Sequence, residues 1–470
     1  MNSRFEMPNN YYFGSGGETF ITPLSIGILV AAAILIFALP RRYAVVPFLV
    51  AALLLSQSQA VIAFGFHFPV FRILILIGLS RCLIRREFLP GRMTSLDKVV
   101  LGWAVCNAVT FSLLWGELAA VTNRLGFLCT NLGAYFLLRI LIRDKAGVVR
   151  TIKVMAVIVA IIAPLMLAEH VTGHNGFSVV GARNLAEVRE GSIRAQGPFA
   201  HPIIAGTVGA MLMPLFVGLW WRGDRNRILL GLGIIGSTVM TIASNSSTPL
   251  MTYAAGALAM LLWRARKRMR MFRWGLVIGL VALQLVMKAP VWFLIAHVGG
   301  ATGGSGFHRA SLIDNFVRHF GEWWLIGTQN NADWGYYMWD VDNAYVGAGV
   351  GGGLITFVLF IAILVYAYKK IGIARQLAEK SPDDARLIWS IGAALFANTV
   401  AFFGIFYFDQ SIACWYALLA MASVATKFVA KEKSVQRQFE LSDAYISPLP
   451  VAAAQTGIPV GELGPTGLFK

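Results

Sequence analysis

PIIAGTVGAMLMPLFVGLWW, residues Pro202 to Trp221, is twenty residues long and carries no charged side chain. Wound as an α-helix at 1.5 Å per residue it reaches about 30 Å, the depth of bilayer hydrocarbon. Similar apolar runs recur along the chain from Ile21 to Phe428, and the whole is 57% hydrophobic and 13% charged, with mean hydropathy +0.66. A soluble protein carries about a quarter charged residues. Alternating ten-residue barrel strands are missing, and helices satisfy their own backbone groups in lipid. The reading is an all-α polytopic integral membrane protein.

Thirteen spans are expected, at 21–39, 44–63, 67–84, 98–115, 120–141, 151–169, 202–221, 228–244, 248–263, 274–296, 344–367, 387–407 and 410–428. The segment 67–84 contains Arg72 and Arg81, so twelve is the alternative. The first span lacks a basic n-region and a small-residue cleavage site, which points to retention rather than removal as a signal peptide. No internal repeat is visible.

The net charge of +17 invites a nucleic-acid reading, but its placement argues against one. Basic residues gather in alternate connections, including Arg81 to Lys98, Arg139 to Lys153, Arg264 to Arg273 and Lys369 to Arg386. Seven such stretches hold 31 of the 40 Lys and Arg. This is the positive-inside pattern, with the N-terminus outside and the C-terminus cytoplasmic. The run RARKRMRMFR then reads as topology and headgroup contact. Cys82, Cys106, Cys129 and Cys414 all lie in apolar spans without metal-like spacing and read as small buried hydrophobes.

The expected organisation is a loose outer tail over 1–20, a transmembrane domain over 21–428, and a disordered cytoplasmic tail over 429–470 rich in Pro, Gly and Ala. Two long outer connections interrupt the domain, at 170–201 and 298–343, the second large enough to carry short helices. Long loops in a compact protein usually carry function.

Cations are scarce on the expected outer side, which makes each informative. Arg194 stands in RAQGPFAHP, just before the span that starts at Pro202, and Arg309 in HRASLID after a Gly-rich turn. Guanidinium groups are planar, permanently charged and bidentate, and so suit phosphate oxygens. Two from separate loops would clamp a diphosphate; the ordinary alternative is headgroup contact or pairing with Glu187, Glu190 or Asp314. Asp342 and Asn343 precede a Gly-rich span start. Asp342 is either a helix cap or a general base whose pKa is raised by desolvation. Glycines at 347, 349, 351, 352 and 353 permit close approach by a neighbouring helix or a ligand. Arg318, Arg124, His201 and Asn343 complete the expected substrate-binding set. Asp340 and Asp342 spell D-x-D, but two aspartates do not make a cage, and no metal or other cofactor is expected. The aromatics Trp323, Trp324, Trp334, Tyr336, Tyr337 and Trp339 suit an interfacial belt or sugar-stacking platforms equally.

From about Pro198 to Ala374 these residues resemble the O-antigen ligase and polymerase superfamily of bacterial envelope glycan assembly. RAQGPFAHP is similar to the family's Arg-containing segment before a central span. HRASLIDNFVRHFGEWWLIGTQN is similar to the Arg-led helix of its large periplasmic loop. The ligase signature H-[NSQ]-x9-G-x-x-[GTY] falls on Asp342, Asn343, Gly353 and Thr356, with Asp in place of His. The Asp–Asn pair resembles the polymerases of O-antigen, capsule or exopolysaccharide pathways more than the ligases. The resemblance implies a bacterial inner-membrane glycosyltransferase. It would polymerise undecaprenyl-diphosphate-linked repeat units on the periplasmic face without nucleotide sugars. Arg194 and Arg309 would engage the diphosphate and Asp342 would act as catalytic base. A chain-length regulator and a flippase of the same pathway are the implied partners, besides membrane lipids, and nucleic acid is not one. The competing expectations are a ligase that moves finished polymer to another acceptor, and a transporter of lipid-linked oligosaccharide. The transporter expects charge through the membrane interior, where this chain has little.

Overall fold

The computed structural model describes residues 19–63, 66–189, 191–296 and 306–427; most of the expected outer tail, the start of the second long connection (298–305) and the expected tail over 429–470 lie outside them. The chain is overwhelmingly helical. Among the described residues, six helices are long and apolar enough to cross a membrane. In chain order they are α4 (Ser95–Trp115), α5 (Leu118–Leu141), α6 (Lys145–Thr172), α7 (Pro202–Trp221), a run from Ser247 to Val286 containing α9 (Ser247–Leu261) and α10 (Met269–Val286), and α14 (Gly353–Leu377). Shorter apolar helices include α1 (Pro23–Ala38) and α8 (Arg227–Ala243); α2 (Arg41–Leu54), α3 (Val70–Ile84), α15 (Pro382–Ala401) and α16 (410–427) complete the body.

Helix α7, the stretch quoted first, lies at the centre, apolar all round and buried along most of its length. It packs against α8, α9 and α15. Glycines on α7 allow that approach: a Cβ on Gly209 would lie 3.0 Å from the Ser237 carbonyl oxygen and 2.8 Å from the Met240 Cβ. Helix α6 is bounded by local chemistry. Asp144 caps it by accepting from Gly147 N at 2.7 Å, and Gly173 ends it at φ +76°.

Three of the expected spans are cut short or broken for identifiable reasons. The span 44–63 stops at Leu54, and Ala60–Ala63 pairs antiparallel with Phe66–Pro69. The polar run Ser56–Gln59 ends the helix, because its side chains serve neighbouring backbone: Gln59 Oε1 accepts from Thr22 N at 2.7 Å and Gln57 Oε1 from Phe71 N at 2.9 Å. The span 274–296 stops at Val286, with Pro290 opening a 3-10 turn over Val291–Phe293. The span 344–367 breaks into α13 (Ala344–Val350) and α14 at Gly351–Gly353.

That break explains the glycines. The backbone of the preceding loop docks into it: Thr328 N donates to Val350 O at 2.9 Å and Leu354 N to Trp324 O at 2.8 Å. Gly353 sits at φ +75°, and a Cβ there would meet the Leu325 carbonyl carbon at 2.7 Å. Gly353→Ala is therefore expected to cost more than the roughly 1–2 kcal/mol of the left-handed conformation alone and to lower the apparent Tm in detergent. Gly275→Ala, where nothing lies within 4 Å of an added Cβ, is expected to leave the Tm unchanged or slightly raised. Equal melting of the two variants would refute the docking account.

The two long connections fold over one end of this body. The first forms a 3-10 turn (Gly176–Val180) and a hairpin of Glu187–Arg189 with Ser192–Arg194. Its continuation is stitched down by buried Glu169, which accepts from Gln196 N at 3.0 Å and Gly197 N at 2.8 Å. The second forms α11 (Gly306–Arg318), the short α12 (Phe320–Trp323) and a 3-10 turn (Ala332–Trp334). A small apolar core of Leu312, Phe316, Trp323, Trp334, Met338 and Val346 holds it together. Phe316 and Trp323 stack with centroids 3.9 Å apart. Trp323 and Trp334 are thus structural aromatics, whereas Trp324, Tyr336, Tyr337 and Trp339 are exposed. Two cations counted in the basic connections are also structural: Arg139 pairs with buried Asp97 at 2.9 Å, and Arg81 with Glu87 at 3.0 Å.

Candidate functional site

Between the two folded connections lies a cavity of about 820 Å³, with Glu187, Arg194, His201, His308, Asp340 and Asp342 on its walls. Arg194 ends the second strand of the hairpin and is 4% exposed. The register sets it opposite Glu187, with which it forms an ion pair. Its Nε is buried without a hydrogen-bond partner. His201 caps α7: its Nδ1 accepts from Ile203 N at 3.2 Å, which leaves the proton on Nε2, 3.4 Å from Glu187. Burial pushes the His201 pKa below its ordinary value; Glu187 opposes that shift and Arg194 adds to it.

Arg309 lies in the first turn of α11, buried behind the same wall. Its Nε donates to Asp342 Oδ2 at 3.3 Å and its Nη1 to Ser247 Oγ at 3.2 Å. Gly404 packs over the group; a Cβ there would stand 3.0 Å from Nε. Asp342 keeps its other oxygen, Oδ1, buried and unpartnered. Burial raises the Asp342 pKa above the usual carboxylate range, Arg309 and His308 hold it back, and Asp340 adds to the rise. The result is a carboxylate fixed by a guanidinium on one oxygen and free on the other.

Arg194, His201 and Asp342 therefore share one cavity, and Arg309 is one ion pair behind it. Three other expected residues are elsewhere. Asn343 is fully buried as the N-cap of α13, accepting from Tyr345 N at 2.9 Å and Val346 N at 3.2 Å while its amide donates to Phe403 O. Its neutral amide takes the capping role open to either residue, and Asp342 is left to face the cavity. Arg318 is exposed at the far end of α11 and pairs with Asp314 four residues before it, at 2.7 Å. Arg124 belongs to a second cavity, because α5 carries it away from both connections.

The sequence reading missed Ser247 and Gly404, which hold Arg309 from the side of the helical body. The only trace of Ser247 was the hydroxyl-rich run Ser244–Thr248 between two apolar helices; Gly404 left none. Asp340 and Asp342 both line the cavity, and among the described residues no group of three or more His, Cys, Asp or Glu converges as metal ligands would. No protein-family model and no curated protein matches the chain.

Proposed function

We propose that this protein is a multi-pass membrane glycosyltransferase of the bacterial inner membrane. It polymerises polyprenyl-diphosphate-linked repeat units on the outer face, with Asp342 as base and Arg194 and Arg309 stabilising the diphosphate. The observation that carries the reading is the half-satisfied Asp342 carboxylate, held by Arg309 on the wall of a cavity that also bears Arg194. The full set of twelve or thirteen crossings and the outward placement of both connections belong to this proposal.

In the reaction, an acceptor hydroxyl attacks the anomeric carbon of the donor. The new C–O bond forms as the C–O bond to the diphosphate breaks, and the leaving diphosphate keeps the electron pair. Its growing charge falls to the guanidiniums, which are preorganised by Glu187, Ser247 and Asp342. The Asp342 carboxylate, on the cavity wall, takes the hydroxyl proton. One base and one displacement invert the anomeric centre.

Because the base must be ionised, the rate is expected to rise with pH across a limb displaced above the ordinary Asp range, in the direction burial shifts Asp342. Asp342→Glu should move that limb, read from kcat/KM against pH with purified enzyme. An unmoved limb assigns it to another group. Glycan profiling of a deletion strain tests the reaction class: single repeat units on lipid are expected to accumulate, whereas long lipid-linked polymer would indicate a ligase.

A further inference from the structure

The wall of the 820 Å³ cavity is divided by chemistry. The first long connection and the start of α7 bring Arg189, Arg194 and His201 to it, with Glu187 paired to Arg194. The second connection, among its described residues, brings no lysine or arginine; Arg309 stands behind that wall, bonded to Asp342. What the second connection contributes is aromatic, hydroxyl, amide and carboxylate.

Phe307, Ser311 and Asn315 recur at four-residue steps on α11 and so share the helix face that lines the cavity. Tyr336 and Tyr337 line it from the turn further on. Phe307 is 69% exposed and Tyr336 77%, and apolar surface left open in one patch usually marks an interaction site. The two tyrosine rings meet edge to face, with centroids 4.4 Å apart and planes at 83°. The turn beneath them is fixed. Met338, part of the loop's small core, donates from its backbone N–H to Gly335 O at 3.3 Å, and Tyr337 is held at φ +58°, a conformation that bulky residues rarely adopt. The aromatics of this region therefore sort three ways. Trp323 and Trp334 fill the core, Trp324 and Trp339 are exposed off the cavity wall, and Phe307, Tyr336 and Tyr337 face the cavity.

An interfacial belt meets lipid around the outside of a helical body. These three rings instead share a wall with Asp340 and Asp342, and the exposed Asp340 carboxylate makes no ion pair with a described residue. Such a wall repels anionic headgroups. A sugar ring has apolar C–H faces and a rim of hydroxyls, and both find partners here: aromatic faces for the first, and hydroxyl, amide and carboxylate groups for the second.

We propose that this wall is the acceptor subsite. The sugar that carries the attacking hydroxyl lies against Tyr336 and Phe307, its other hydroxyls bond to Ser311, Asn315 and Asp340, and it is a sugar without a carboxylate. The inference rests on the glycan-transfer reading and deepens it, assigning the cations of the first connection to the donor and the aromatics of the second to the acceptor. Asp342 belongs to the second wall, so the hydroxyl it deprotonates arrives from the sugar on that side. A uronic acid there would set its charge against Asp340, with no guanidinium of that wall to meet it.

The test uses the purified full chain and two probes. The lipid-linked repeat unit from a deletion strain is the donor, and the same oligosaccharide on an octyl aglycone, which accepts but has no diphosphate to lose, is the acceptor. Phe307→Ala with Tyr336→Ala should raise the acceptor KM by about tenfold, the scale of one or two lost aromatic contacts, with kcat unchanged, as when binding common to ground and transition states is removed. Tyr336→Ala alone should raise it by about threefold, and it decides if the pair misfolds. Tyr336→Phe keeps the ring and should keep the wild-type KM, as should Trp339→Ala off the wall. The new linkage in the polymer identifies the accepting sugar, which should be neutral or amine-bearing. Wild-type polymerisation with an unmoved acceptor KM in the alanine variants would overturn the subsite and leave the transfer reading standing. An equal rise in Trp339→Ala would return these rings to an interfacial belt, and a carboxylate on the accepting sugar would overturn the sugar class. No polymer from the wild type would overturn the transfer reading and this inference with it.

Discussion

Asp342→Asn is expected to lower glycan polymerisation by about 10²–10⁴-fold, the usual contribution of a positioned general base, while the protein stays inserted and folded. Asparagine preserves the shape of the side chain and still offers an oxygen to Arg309 Nε, so the 3.3 Å contact survives as a neutral hydrogen bond. What is lost is the negative charge of the carboxylate and with it the capacity to take a proton. The cap of α13 is not at stake, because Asn343 supplies it. Polymer length on gels, together with melting in detergent, checks the prediction. Wild-type polymer from Asp342→Asn would reduce the residue to an ion-pair partner of Arg309.

Arg309→Ala is expected to cost at least as much. Removing one preorganised charge-stabilising donor typically costs about 10²–10³-fold, and here the same change also disturbs the base. Without its guanidinium the Asp342 pKa should climb further, since Arg309 is the largest influence now holding it down. Arg194→Ala lacks that second effect and should be the milder variant. Lysine should rescue Arg309 poorly: Nε and Nη1 serve different partners, Asp342 and Ser247, and one ammonium does not reproduce that fork. Initial rates of the alanine and lysine variants with a defined lipid-linked donor check the order. Full rescue by lysine would mean that charge alone matters there.

The apolar stretch Pro202–Trp221 was legible to the residue, because a helix buried on every side has no polar face to obscure its ends and Pro202 fixes its start. Spans 44–63 and 344–367 were misread for the opposite reason. Their breaks are made by side chains and backbone from elsewhere, Thr22 and Phe71 against the glutamines and the 324–328 backbone against Gly353, and no local periodicity records such partners. At the cavity and behind its wall, Arg194, Asp342 and Arg309 were visible as charges beside hydrocarbon. Scarcity alone did not distinguish Arg124 or Arg318 from them, since which cavity a guanidinium reaches depends on helix packing. The Glu187–Arg194 pair follows from hairpin register, and only its possibility was readable.

The most direct test of the central claim gives the purified chain an undecaprenyl-diphosphate-linked repeat unit and measures polymer and released undecaprenyl diphosphate together. The account predicts a ladder of products, one carrier released per added unit, and loss of both in Asp342→Asn and in Arg194→Ala with Arg309→Ala. Carrier release and chain growth that continue at wild-type rates in those variants would contradict it.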